Sequence, residues 1–173
     1  TGTDAAEFIE LYDGGVGNSS LNGFVVVLFN GSTDVSYAAF DLDGYVTNAN
    51  GYFVLGNTNV PNVGLIFSND LLQNGQDAVA LYYSDATSFP TGTAVTTGNL
   101  IDAFVYDTDD NDDPGLLVLL NAGQPQVNEN GRDNGLSHSS QRLPNGTGGA
   151  RNTSTYDQTL PTPGAANAYA DIS

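Results

Sequence analysis

Short runs of β-branched and aromatic residues, each closed by a turn signal, set the rhythm of this chain. Residues 7–12 alternate apolar and polar side chains, the period of a strand. Residues 24–29 are apolar throughout, and residues 36–42, 52–55, 78–83 and 100–106 follow with Val, Ile, Phe and Tyr concentrated in them. That composition suits a pleated surface. Asn-Gly pairs begin at Asn22, Asn30, Asn50, Asn74, Asn130, Asn134 and Asn145. Such pairs favour positive φ and close hairpins. No window has the 3.6-residue period of an amphipathic helix, and the best helical candidate is one turn at 69–73. Strands at short spacing with this punctuation predict an all-β sandwich or barrel. Residues 121–159 are rich in Gly, Asn, Ser and Thr, and one strand is expected there, at 137–143. The rest of that stretch reads as loops over the same domain, because it holds too little apolar surface to close a second core.

Charge changes the picture. Twenty acidic residues oppose only Arg132, Arg142 and Arg151, for a net charge of -17. A hydrophobic content of 39% is still enough to close a core, so the charge does not predict disorder. The acidic surface repels phosphate backbones, which excludes nucleic acid as a partner, and it disfavours anionic membranes. It suits salty water and divalent cations. No apolar run approaches the ~18 residues of a membrane-spanning helix, so no membrane insertion is expected. Cysteine, methionine and tryptophan are absent, which rules out disulfides and leaves nothing easily oxidised. Asn18, Asn30, Asn145 and Asn152 each open an Asn-x-Ser/Thr sequon, a glycan acceptor in a suitable host.

Seven segments in order resemble the lamin tail domain in its prokaryotic extracellular form. They are Glu7-Phe8-Ile9-Glu10-Leu11-Tyr12, Leu21-Asn22-Gly23-Phe24 and Gly51-Tyr52-Phe53-Val54-Leu55-Gly56. Asn74-Gly75-Gln76-Asp77-Ala78-Val79-Ala80-Leu81 and Ile101-Asp102-Ala103-Phe104-Val105-Tyr106 follow. Ser139-Ser140-Gln141-Arg142 and Pro161-Thr162-Pro163-Gly164-Ala165-Ala166-Asn167 complete the set. The resemblance spans nearly the whole chain. It implies an immunoglobulin-like β-sandwich over residues 1–167, with no catalytic residues, in a secreted or cell-surface setting. Members of that family usually carry one more strand ahead of the segment that begins here at Gly2-Thr3-Asp4. Either the sequence was cut after that strand, or the sheet position is unfilled, with unpaired backbone groups that invite a strand from another chain. The tail at 168–173 alternates Ala168, Ala170 and Ile172 with Tyr169, Asp171 and Ser173, and is the candidate donor.

The sharpest local feature is the acidic run Asp107, Asp109, Asp110, Asn111, Asp112 and Asp113, a candidate calcium loop. Calcium takes six to eight oxygens, and Asp107, Asp109 and Asn111 have the alternate spacing of an EF-hand. The sixth position is Asp112 rather than Gly, and the twelfth is Val118 rather than Glu, so the loop is not an EF-hand. A different calcium loop and a solvated acidic hairpin both fit. Asp41-Leu42-Asp43-Gly44 reads as a turn. One of Glu7 and Glu10 is expected to face inward and meet Arg142 in a structural ion pair. His138 is the only histidine, too few for a zinc site, and strand alternation would separate it from Ser137 and Ser139. No enzyme activity is expected. The reading is a non-catalytic extracellular protein that self-associates by strand addition into a filament or surface layer, stabilised by calcium. Its alternative is an accessory binding module of a secreted nuclease or phosphatase.

Overall fold

The structure is a computed structural model and describes residues 3–170. Among them ten strands succeed one another: β1 Phe8–Tyr12, β2 Phe24–Asn30, β3 Val35–Asp41, β4 Tyr52–Gly56, β5 Val63–Ile66, β6 Asp77–Tyr83, β7 Leu100–Asp107, β8 Val127–Asn128, β9 Ser139–Arg142 and β10 Tyr156–Thr159. Helical structure is confined to a 3₁₀ turn at Ala86–Ser88 and the single-turn helix α1 at Pro114–Leu117. The strands form a five-stranded sheet in the order β3-β2-β6-β7-β8, a three-stranded sheet in the order β1-β4-β5, and the two-stranded ladder β10-β9. β4–β5 and β7–β8 are parallel; the other pairs are antiparallel. The expected all-β sandwich is what the chain forms.

The setting of β2 explains why residues 24–29 are apolar throughout. Val25, Val27 and Phe29 pack on one face of the five-stranded sheet with Ala80, Tyr82 and Val105, under a cover of Phe89, Leu116, Leu119 and Leu120. Val26 and Leu28 point the other way and meet Ile9, Leu42, Phe53, Leu55 and Phe67 from the three-stranded sheet and its loops. A strand buried on both faces loses the period-2 signal. At Asn50-Gly51 the chain takes φ of +94° at Gly51, and a Cβ there would collide with the Asp13 carboxylate. The turn therefore requires glycine.

Two expectations on secondary structure need correction. Residues 69–73 are not helical, because the N–H groups of Leu71 and Leu72 donate to the Glu7 carboxylate at 3.0 Å each. The helical turn lies instead at the end of the acidic run, where Asp113 caps α1 by accepting from Gly115 N and Leu116 N, ahead of Pro114 at the first position. The strand expected over 137–143 is shorter, and pairs with a β10 whose polar sequence, Tyr-Asp-Gln-Thr, carries no strand signal. Of the tail, Ala168 to Ala170 are exposed and outside any strand, while residues 171–173 lie outside the described residues.

Candidate functional site

The hydrogen-bond parity of two strands defines the site. β1 bonds to β4 through Glu7, Ile9, Leu11 and Asp13, as fixed by the bonds Asn57 N to Glu7 O and Asp13 N to Gly51 O. In an antiparallel ladder alternate residues turn their backbone groups away from the partner. Phe8, Glu10 and Tyr12 therefore aim N–H and C=O at the side where β1 has no strand neighbour. β9 behaves likewise. The bond Leu143 N to Thr155 O sets the register with β10, so Ser140 and Arg142 turn their backbone groups outward. These two free edges face each other across a cleft of about 770 Å³ lined by β1 on one wall and β9 on the other.

Apolar side chains of the five-stranded sheet form the cleft floor: Val79, Leu81, Phe104 and Tyr106. β6 is the middle strand of five, and its Ala78, Ala80 and Tyr82, on the opposite face, are fully buried. Val79 and Leu81 remain half-buried. Both line the cleft. Among the described residues Leu136 protrudes furthest of the large apolar side chains, and it stands on the rim.

Polar groups brace the walls. The Arg142 guanidinium reaches Asp102 on β7 at 3.1 and 2.9 Å, donates to the carbonyls of Thr147, Gly149 and Asn152, and lies 4.8 Å over the Tyr156 ring. The expected partner was Glu7 or Glu10, and neither meets it. Glu7 is occupied by Leu71, Leu72 and Asn57. Glu10 accepts from Gly164 N at 2.6 Å, which pins the closing segment to β1. Burial pushes the Glu10 carboxyl up to about 7 against the opposing effect of that bond. Glu129, at the start of the cleft, is also pushed up to about 7 by burial, with the charges of Asp107 and Asp77 adding to it and a bond from Thr108 opposing. The closing segment also bonds the other wall: Gln141 Nε2 donates to Leu160 O, and Asn167 Nδ2 donates to Arg142 O.

The carboxylates of the acidic run take separate hydrogen-bond partners. Asp107 accepts from Gln126 Nε2 at 2.7 Å and from Asp110 N at 3.0 Å. Asp109 accepts from the side-chain amides of Asn128 and Asn130, which hold its carboxyl below the ordinary range. Asp113 caps α1, Asn111 offers its backbone carbonyl to Gln76, and Asp110 and Asp112 face solvent. Among the described residues no three His, Cys, Asp or Glu side chains gather as a metal-holding group. Ser137 and His138 precede β9 in a turn on Asn134 O, so strand alternation does not separate them; Ser137 Oγ lies 2.7 Å from His138 Nδ1 at an exposed position.

Sequence reasoning identified the strand β1 and the segment of β9 but not that their free edges face one another. The half-buried apolar floor was not legible either, because only the three-dimensional order of strands reveals which apolar residues lack a cover. Among the described residues no helix is long and apolar enough to cross a membrane. No protein-family model, characterised protein or solved structure matches the chain.

Proposed function

We propose that this chain is a non-catalytic, extracellular interaction protein that assembles with copies of itself by strand addition. The observation that carries the reading is the cleft between β1 and β9, where two strand edges without a strand partner on that side flank a half-buried apolar floor. An extended segment pairs with such edges while its alternate side chains cover the floor. The sequence resemblance to lamin tail domains supports the non-catalytic and extracellular parts of the reading. Copies that each carry a charge of -17 repel one another, so salt or calcium at the exposed Asp110 and Asp112 promotes contact between them.

Light scattering and negative-stain electron microscopy of the native protein test this, in calcium and then in excess chelator. Regular polymers that loosen in chelator support assembly with calcium bridging. Polymers indifferent to chelator keep the assembly and remove the calcium. Monomers at every protein, salt and calcium concentration overturn the proposal.

A further inference from the structure

The cleft is acidic at one end, apolar along its floor and charge-balanced at the other end. Strand register fixes that order. Asp77 pairs with Tyr106, Val79 with Phe104 and Leu81 with Asp102. The floor therefore runs from Tyr106 to Leu81 over the four steps from 77 to 81, about 13 Å at the usual rise of a strand. At the far end Arg142 neutralises the Asp102 carboxylate at 2.9 Å. At the near end Glu129 stands on the lining, close enough to Tyr106 for its charge to act on that hydroxyl. Aromatic faces lie beside it: the Phe104 ring stacks on Tyr106 at 5.5 Å and meets Tyr156 at 4.6 Å.

Glu129 lacks a positive partner among the described residues. Its carboxyl accepts a bond from Thr108 Oγ1 at 3.5 Å, and the charges that act on it are those of Asp107, Asp77 and Asp4. The three arginines are engaged elsewhere: Arg132 on Asp157, Arg142 on Asp102, and Arg151 on the carbonyls of Val118 and Leu119. A half-buried carboxylate among like charges is costly to ionise, and a cation beside it offsets that cost. A calcium ion needs several oxygen ligands at once, and among the described residues no three acidic side chains gather to supply them. An anion is repelled by a chain of net charge -17. A neutral apolar molecule would cover Glu129 and leave its charge desolvated without compensation. An ammonium group on an apolar chain matches the acidic end and the floor together.

Beyond the assembly reading and independently of it, we infer that the cleft binds an amphiphilic amine, with its ammonium on Glu129 and its unbranched apolar chain along Phe104, Val79 and Leu81. The ammonium lies at the edge of the stacked rings, whose faces attract cations. The sequence contains no lysine, so no ammonium side chain of a second copy takes this place, and the ligand is a separate molecule. The amine stays charged to about pH 10, as a lysine side chain does, so the titration that governs entry is that of Glu129. Burial, with the charges of Asp107, Asp77 and Asp4 adding to it, pushes that carboxyl up to about 7. The site is therefore stronger above pH 7 than below it.

Three probes of equal length separate charge from apolar contact: octylamine, octanol and octanoate. Each is titrated calorimetrically into the full chain at physiological ionic strength. The protein is first shown by sedimentation to be unassembled, so the result is distinct from that of strand addition. Octylamine is expected to bind once per chain, at least about tenfold tighter than octanol, with octanoate weakest. Glu129→Gln keeps the shape of the side chain and removes its charge. It is expected to bring octylamine to within about threefold of octanol, and to leave octanol unchanged. Leu81→Ala, on the floor, weakens both ligands by a similar factor. Between pH 5 and pH 8 the affinity for octylamine rises in the parent protein and stays level in Glu129→Gln. Equal affinities for octylamine and octanol overturn the inference, as does octanoate binding as tightly as the amine. Octylamine binding that Glu129→Gln leaves intact also overturns it, because the ammonium then lies elsewhere on the acidic surface. Failure of all three probes to bind removes the cleft as a ligand site.

Discussion

Replacing Arg142 by alanine removes the brace that joins β9 to the five-stranded sheet. Its side chain is 13% exposed and that of Asp102 is 35% exposed, so the pair is largely shielded from water. The guanidinium makes two bonds to the Asp102 carboxylate, at 3.1 and 2.9 Å, and closes on the carbonyls of Gly149 and Asn152 at 2.8 Å each. Charge-assisted bonds contribute roughly 1.5–3 kcal/mol each when measured singly, but groups sharing one network are not additive. Removing one partner of a shielded ion pair costs about 3–5 kcal/mol, because the other charge is left behind. Asp102 keeps two bonds, from Ala103 N and Arg151 N, which places the expected loss near the lower end, at about 3 kcal/mol. Urea unfolding followed by tyrosine fluorescence measures it, since the chain has nine tyrosines and no tryptophan. Arg142→Lys keeps the charge and loses the fork, for an expected loss of about 2 kcal/mol. Asp102→Ala combined with Arg142→Ala is expected to cost less than the sum of the two single changes. A loss below about 1 kcal/mol for Arg142→Ala, with full additivity in the double variant, would refute the brace.

Other outcomes follow from the same geometry. The raised Glu10, Glu129 and Asp77 carboxyls hold more protons in the folded chain than in the unfolded one between their ordinary range and about 6 to 7. Stability therefore falls as pH rises through that window, and denaturation midpoints at pH 5 and pH 8 will show the higher value at pH 5. Glu10→Gln keeps an acceptor for Gly164 N without the buried charge, so it stabilises the fold at pH 8 and flattens part of the pH dependence. Leu28→Ala, at a fully buried position of β2, is expected to cost about 2–5 kcal/mol by the same urea assay. Leu81→Asp places a charge on the cleft floor at a half-buried site; it is expected to abolish assembly, read by light scattering, while circular dichroism shows the β fold intact.

Seven of the ten strands were legible in the chain because local composition and alternation determine them. The other three were not, for separate reasons. β5, Val63–Ile66, contains Gly64 against the Phe53 ring; β8 has two residues; β10 is polar because its partner β9 supplies most of its order. α1 was hidden inside the acidic run, where Asp113-Pro114 is a helix start as well as a charged turn. Arg142 was expected in an ion pair and forms one, but its partner came from β7 rather than β1. Parity along one strand says which residues share a face; it does not say which strand lies opposite.

The closing segment has a consequence for the thermodynamics of filling the cleft. Residues 160–167 are tied to β1 through Glu10 and to β9 through Gln141 and Arg142, so they bridge the two walls like a fixed strap. A cleft whose walls could drift would have to be ordered by each arriving strand, and that ordering would be subtracted from the affinity. Here the separation of the walls is set during folding of the acceptor itself. An occupant then loses only its own freedom on entry, which lets a contact built on a few residues persist.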